Sequence, residues 1–210
     1  MLRAVLFDMD GVLAFTEPYY RRRRLKYLSD NGVVLTSKPD WTGMHDDDAW
    51  RACVPDDEER RARLRAGYER YADEHPTPWR ELVNRQGADV MATLREWGVA
   101  TAVCSSSPRE SVDACLDELG VVPLVNLVIS GDEVDSPKPD PEIYQRAMGA
   151  LGVTPEETVV VEDSAIGIRA GKASGALVCA LRQPVGPQPS QHGADIILGD
   201  LRELVALLVA

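Results

Sequence analysis

The stretch AVLFDMDG, residues 4–11, decides how the rest of the chain is read. Four apolar residues run directly into Asp8, with a second acid at Asp10 and a glycine behind it. A short apolar run containing Val and Phe predicts a strand buried on both faces. Acids at i and i+2 at the carboxyl end of such a strand share a face, and like charges that close repel. A bound cation is the physical agent that would hold them there.

Outward from this strand, the chain beyond about residue 88 alternates strand and helix. Strands are predicted at 99–104 (VATAVC), 124–130 (LVNLVIS), 158–162 (TVVVE), 176–181 (ALVCAL) and 194–198 (ADIIL). Between them lie predicted helices near 88–97, 108–119, 140–151 and 164–174, with a last one near 200–209. Such alternation builds an α/β fold, a parallel sheet with right-handed crossovers and helices on both faces. The strand at 3–8 joins that sheet. Residues 15–85 then form a helical insertion, with charged helices at 16–31 and 56–75, Gly32 ending the first. Leu64, Tyr68 and Tyr71 sit at helical spacing to anchor the second. The stretch QPVGPQPSQHG, 183–193, reads as a surface loop.

Composition narrows the function. The chain has 210 residues, 44% of them hydrophobic, and a net charge of −11. Residues 15–85 carry 14 basic and 14 acidic side chains, so the remainder, with 9 against 20, holds the whole negative charge. Nucleic acid is a poor partner for such a surface, and no membrane partner is expected. No apolar run approaches the ~20 residues of a membrane span, and the N-terminus lacks the pattern of a signal peptide. Cys53, Cys104, Cys115 and Cys179 are scattered, which predicts reduced thiols and a cytoplasmic setting. No ligand spacing joins them to His45, His75 or His192 around zinc. The expected assembly is a monomer or a weak homodimer.

In open parallel sheets, ligands bind beyond the carboxyl ends of the strands. Those ends offer Asp8 and Asp10 from the first strand, Ser105-Ser106-Ser107 from the second, Lys138 after the third, and Glu162-Asp163-Ser164 from the fourth. Carboxylates suit Mg²⁺, and hydroxyls, amides and one ammonium suit phosphate oxygens. Each piece alone has a plainer reading as a helix cap or a loop residue. Four of them at one sheet edge make a site.

The segments FDMDGVL, CSSS, KPDPEIY and VVVEDSAIGIRAG together resemble the motifs of the haloacid dehalogenase superfamily, and its branch of small phosphatases and β-phosphoglucomutase in particular. The resemblance implies a Rossmann-like three-layer core formed by residues 1–14 and 86–210, with a helical cap of residues 15–85 inserted after the first strand. It implies Asp8 as the nucleophile that forms an aspartyl-phosphate, and Asp10 as general acid and then base. Ser105, with Ser106 beside it, and Lys138 would hold the phosphoryl group. Mg²⁺ would sit on Asp8, the carbonyl of Asp10 and Asp163, with Glu162 in or near its shell. The substrate would be a small phosphorylated metabolite, a sugar phosphate or similar.

Other activities fit less well. A hydrolytic dehalogenase displaces halide without a proton donor or metal, so Asp10, Glu162 and Asp163 would be surplus. A phospho-accepting signalling module would be shorter, without the insertion, and its phosphorylated acid would close the third strand, where Ser130-Gly131-Asp132 stands. A mutase resembling β-phosphoglucomutase is the nearer alternative. There an arginine of the cap loop grips the second phosphate, whereas WTGMHDDDAW (41–50) aligns Asp46 with it. Of Arg21 to Arg24, which point round a helix, at most two could face a site.

Overall fold

Ala4–Phe7 form strand β1, and all four side chains are buried. The computed structural model describes residues 1–35, 46–186 and 188–209. Strands β2 (Ala100–Cys104), β3 (Leu127–Ile129), β4 (Thr158–Glu162), β5 (Leu177–Leu181) and β6 (Ile196–Leu198) complete one sheet. Its order is β3-β2-β1-β4-β5-β6, and every pairing is parallel. Thus β1 lies between β2 and β4, with Ala4 opposite both Ala100 and Thr158.

Alternate side chains explain why these runs lack a polar face. Val5, Phe7, Val103, Val159 and Val161 point to one side and pack with Met91, Leu94, Leu116 and Leu204. These belong to helices α5 (Gln86–Glu96), α6 (Arg109–Leu119) and α9 (Glu203–Val209). Ala4, Leu6, Ala102, Cys104 and Val160 point to the other side, against Ile143, Tyr144, Met148 and Ile168. Those come from α7 (Glu142–Leu151) and α8 (Ala165–Ala173). The core is a three-layer α/β sandwich. All four cysteines are buried and form no disulfide.

The chain divides into two compact units, Met1–Phe15 with Trp79–Ala210, and Thr16–Pro78. Among the described residues the second holds α1 (Glu17–Asp30), α2 (Asp46–Cys53) and α3 (Glu58–Glu74). Tyr27, Leu28, Trp50, Cys53 and Leu64 form its core, with Tyr68 and Tyr71 packed alongside. The stretch 79–85 goes with the sheet unit instead of the insertion, for a physical reason. Short helix α4 (Trp79–Leu82) leads into Val83, which joins the sheet's core, and the Asn84 side chain donates to the Val12 carbonyl at 2.9 Å.

Two local differences from the sequence reading stand out. The third strand is shorter than 124–130, because Val122–Leu124, with Pro123 inside, takes a 3₁₀ turn first. Residues 46–50, read as loop, open α2, where Ala49, Trp50 and Cys53 recur at helical spacing on a buried face. Trp41 to His45 of that segment lie outside the described residues, as does the Asp46 side chain. In the arginine run, Arg23 stacks over Tyr19, Tyr20 and Tyr68 and donates to the His75 carbonyl, and Arg24 lies over Trp50 and Tyr68.

Candidate active site

The central strand pairing sets the site. Phe7 lies opposite Val103 and Val161, so the residues just past all three, Asp8, Cys104–Ser105 and Glu162–Asp163, leave the sheet side by side. The Asp8 amide still donates to Val161 at 2.9 Å, which keeps the strand's register through the first acid.

Lys138 reaches this edge from the loop before α7. Its Nζ donates to Asp8 Oδ1 at 2.6 Å, to Glu162 Oε1 at 2.7 Å and to the Cys104 carbonyl at 3.0 Å. All three ammonium protons are therefore used. Its side chain is 5% exposed, and the ring of Tyr144 lies under the charge, 4.9 Å from nitrogen to centroid. Burial would lower such an ammonium, but the charges of Asp8 and Glu162 overcome it and hold Lys138 well above its ordinary value.

Glu162 turns inward. Its Oε1 accepts from Lys138 and from the Tyr144 hydroxyl at 2.7 Å. Its Oε2 accepts from the Asp163 and Ser164 amides and from the Ser164 hydroxyl. Burial pushes this carboxyl up, yet Lys138 and the remaining donors pull it below its ordinary value. Gly167, on α8, makes room for it, since a Cβ there would lie 1.7 Å from Oε1.

Asp8 and Asp163 behave oppositely. Burial, added to the charges of Glu162 and Asp10, outweighs Lys138 and raises Asp8 to about 8. Burial, with Glu162, Asp8 and Asp10 nearby, pushes Asp163 well above its ordinary value. Asp8, Glu162 and Asp163 each present an oxygen, all within 4.8 Å of one another, in an arrangement that could hold a metal ion. This corner holds more negative charge than Lys138 can neutralise.

Asp10 is tied to the second strand. Its Oδ2 accepts from the Ser107 hydroxyl at 2.6 Å, and the Ser107 amide donates to Ser105 Oγ at 3.1 Å. Ser105 is buried. Ser106 is exposed and contributes backbone, its carbonyl so near Gly131 that a Cβ there would meet it at 2.3 Å. Of the residues expected at the site, Asp8, Lys138, Glu162 and Asp163 meet directly, while Asp10 and Ser105 are joined through Ser107.

Two partners carry no role in the sequence reading, Tyr144 on Glu162 and Gln183 on Asp163 at 2.9 Å, while Ser107, read there as one of the strand-end hydroxyls, is bound to Asp10. Tyr144 and Ser107 lie inside the quoted motifs KPDPEIY and CSSS. Gln183 stands two residues past β5, where the strand-end rule could have flagged it.

Comparison with known proteins agrees with this geometry. Residues 2–175 match the family model of haloacid dehalogenase-like hydrolases. The chain is 32% identical over 213 residues to validoxylamine A 7′-phosphate phosphatase of Streptomyces hygroscopicus subsp. limoneus, covering 97% of this chain and 96% of that one. Among solved structures, a HAD family hydrolase from Deinococcus radiodurans R1, with bound phosphate and sodium, superposes with a TM-score of 0.76 at 28% identity, covering 99% of this chain and 95% of that one. CbbY from Rhodobacter sphaeroides, as a D10N mutant in complex with xylulose-(1,5)bisphosphate, gives 0.74 at 26%, covering 97% and 96%. Fold, strand-end residues and matched length together place this chain in the family of haloacid dehalogenase-like hydrolases.

Proposed function

We propose that the protein is a Mg²⁺-dependent phosphatase that hydrolyses a small phosphate monoester, a sugar phosphate or similar metabolite, through an aspartyl-phosphate on Asp8. The observation that carries this reading is the Lys138 ammonium, buried and hydrogen-bonded to both Asp8 and Glu162. It supplies a fixed positive charge beside Asp8, the first acid past β1. Related proteins act on such esters by name, the validoxylamine A 7′-phosphate phosphatase among them.

The residues fit a hard divalent cation, since every donor in the cluster is oxygen and the acids outnumber the one ammonium. Asp8 and Asp163, with the Asp10 carbonyl, would hold it. Glu162, whose two oxygens are already occupied by hydrogen bonds, belongs behind that shell as the anchor of Lys138. When bound, Mg²⁺ supplies charge that offsets repulsion between carboxylate and phosphate.

The chain's own groups do the rest. Asp8 attacks phosphorus and the bond to the ester oxygen breaks. Asp10, aimed by Ser107, protonates that oxygen as it leaves and then takes a proton from the water that attacks the aspartyl-phosphate. Lys138 and the Ser105 and Ser106 segment steady the phosphoryl oxygens.

The test is incubation with Mg²⁺, β-glucose 1-phosphate and a catalytic amount of the bisphosphate, alongside a panel of phosphate monoesters. Inorganic phosphate should appear, excess chelator should stop it, and added Mg²⁺ should restore it. Ca²⁺ should substitute poorly, because it favours more ligands and looser geometry. Rapid formation of glucose 6-phosphate without free phosphate would overturn the reading in favour of a mutase. Full activity in excess chelator would remove the metal.

The acid excess also has a signature without substrate. A carboxyl at about 8 in the folded chain, against an ordinary 3.8, keeps a proton that the unfolded chain has released. The stability this proton gives is complete below the ordinary value and is lost as pH climbs to about 8. Ion-free protein should therefore melt at steadily lower temperature from about pH 5 to 8, and saturating Mg²⁺ should flatten that fall. Parallel melting curves with and without Mg²⁺ would contradict it.

A further inference from the structure

Leu181 ends β5, and Gln183 follows it by two residues in the loop toward β6. Its Nε2 donates to the Gly11 carbonyl at 2.8 Å and to Asp163 Oδ2 at 2.9 Å. A primary amide nitrogen carries two protons, so each acceptor takes one. The two acceptors come from the turn after β1 and the end of β4, the segments that supply Asp8 and Asp163. They are already in close contact, since Gly11 has φ +81° and a Cβ there would lie 2.0 Å from Asp163 Oδ2.

The residue that bridges them is itself held. The Gln183 amide donates to Gln188 Oε1 at 3.0 Å, and Gln188 Nε2 donates back to the Gln183 carbonyl at 2.6 Å. Gln191 Nε2 ties the same loop to the Leu181 carbonyl at 2.7 Å. Such clasping restricts the backbone from which the Gln183 side chain reaches both acceptors. Among the described residues, Asp163 Oδ1 accepts no hydrogen bond, so one oxygen is fixed and the other stays available. A neutral donor can fix it in this way without spending the carboxylate's charge, which lysine or arginine would partly neutralise.

We propose that Gln183 is a positioning residue for the cation site: its amide locks the Asp163 carboxylate against the Gly11 turn so that the remaining oxygen is preset as a ligand. The inference rests on the reading of Asp163 as a cation ligand. Hydrogen bonds of this kind from outside the ligand shell commonly contribute 10- to 100-fold in metal affinity, by order of magnitude.

The experiment is calorimetric titration of Mg²⁺ into the ion-free protein, comparing the parent with Gln183→Leu, Gln188→Ala and Asp163→Asn. Gln183→Leu should weaken binding by roughly 10- to 100-fold, with an ion-free melting temperature like the parent's. Gln188→Ala, which unties the loop's backbone clasp but keeps the bridging amide, should bind close to the parent. In turnover, half-saturating Mg²⁺ should rise for Gln183→Leu while the KM for ester at saturating Mg²⁺ holds. Parent-like binding by Gln183→Leu, together with lost binding by Asp163→Asn, would overturn the role of Gln183 and leave the cation site standing. An equal loss in Gln188→Ala would show that loop order, not the amide, matters, and would also overturn it. Undiminished binding by Asp163→Asn would defeat the underlying reading of the site.

Discussion

Asp8→Asn protein is expected to fold normally and to lose turnover by on the order of 10⁴-fold or more, the scale on which removing an enzymic nucleophile acts. The amide matches the carboxylate in shape and can still offer an oxygen to Lys138, but it cannot attack phosphorus. Stability should not suffer, because burial already disfavours the ionised form and raises the carboxyl to about 8. A neutral side chain removes that penalty while Glu162 keeps Lys138 paired at 2.7 Å. The measurement is a single-turnover assay for phosphate release beside a thermal melt. A folded variant working within tenfold of the parent would remove Asp8 from the nucleophile's role.

The second large effect falls on stability as well as rate. Lys138→Met keeps the volume of the stem but leaves Asp8 and Glu162, whose side chains are 10% and 1% exposed, without their counter-charge. Removing one partner of a buried ion pair costs about 3–5 kcal/mol. Unfolding by denaturant at neutral pH should show a loss of that size. Part of it should return as pH is lowered, since protonating Asp8 and Glu162 removes the unpaired charge. Turnover should fall by ~10²- to 10³-fold as the fixed charge near the phosphoryl oxygens is lost. Unchanged stability at neutral pH would mean that the three-way contact of Lys138 holds little of the core together.

How much of this was legible before the structure depended on where each signal lay. The strands could be read because both faces of the sheet are covered, so Ala4–Phe7 and Thr158–Glu162 show as unbroken apolar runs ending in acids. Helix α2 could not, because three acids at its start hid the periodicity of Ala49, Trp50 and Cys53. Residue types at the strand ends were visible, but their pairing was not. Which acid takes Lys138, and from which side, depends on α7 packing Tyr144 beneath the ammonium. Glu162 read as an acid in or near a cation's shell, and the sequence could not show that its oxygens also meet Tyr144, Ser164 and Lys138. Gln183 carried only its place two residues past β5, since a polar residue in a proline-rich loop has no period to betray it.

The strand order bears on how the chain is made. Of the six strands β1 is synthesised first, and it sits in the middle of the finished sheet, between β2 and β4. Its neighbours leave the ribosome only after the whole insertion, and the second of them, opposite Ala4 at Thr158, much later still. Until then, the emerging chain holds an apolar strand with both edges unsatisfied, a state that invites pairing with other chains. Closing such distant contacts also slows folding. Fragments released before residue 162 should be inactive and prone to aggregate, whereas the insertion, with its own core of Tyr27, Leu28, Trp50 and Leu64, can bury apolar surface before β2 emerges.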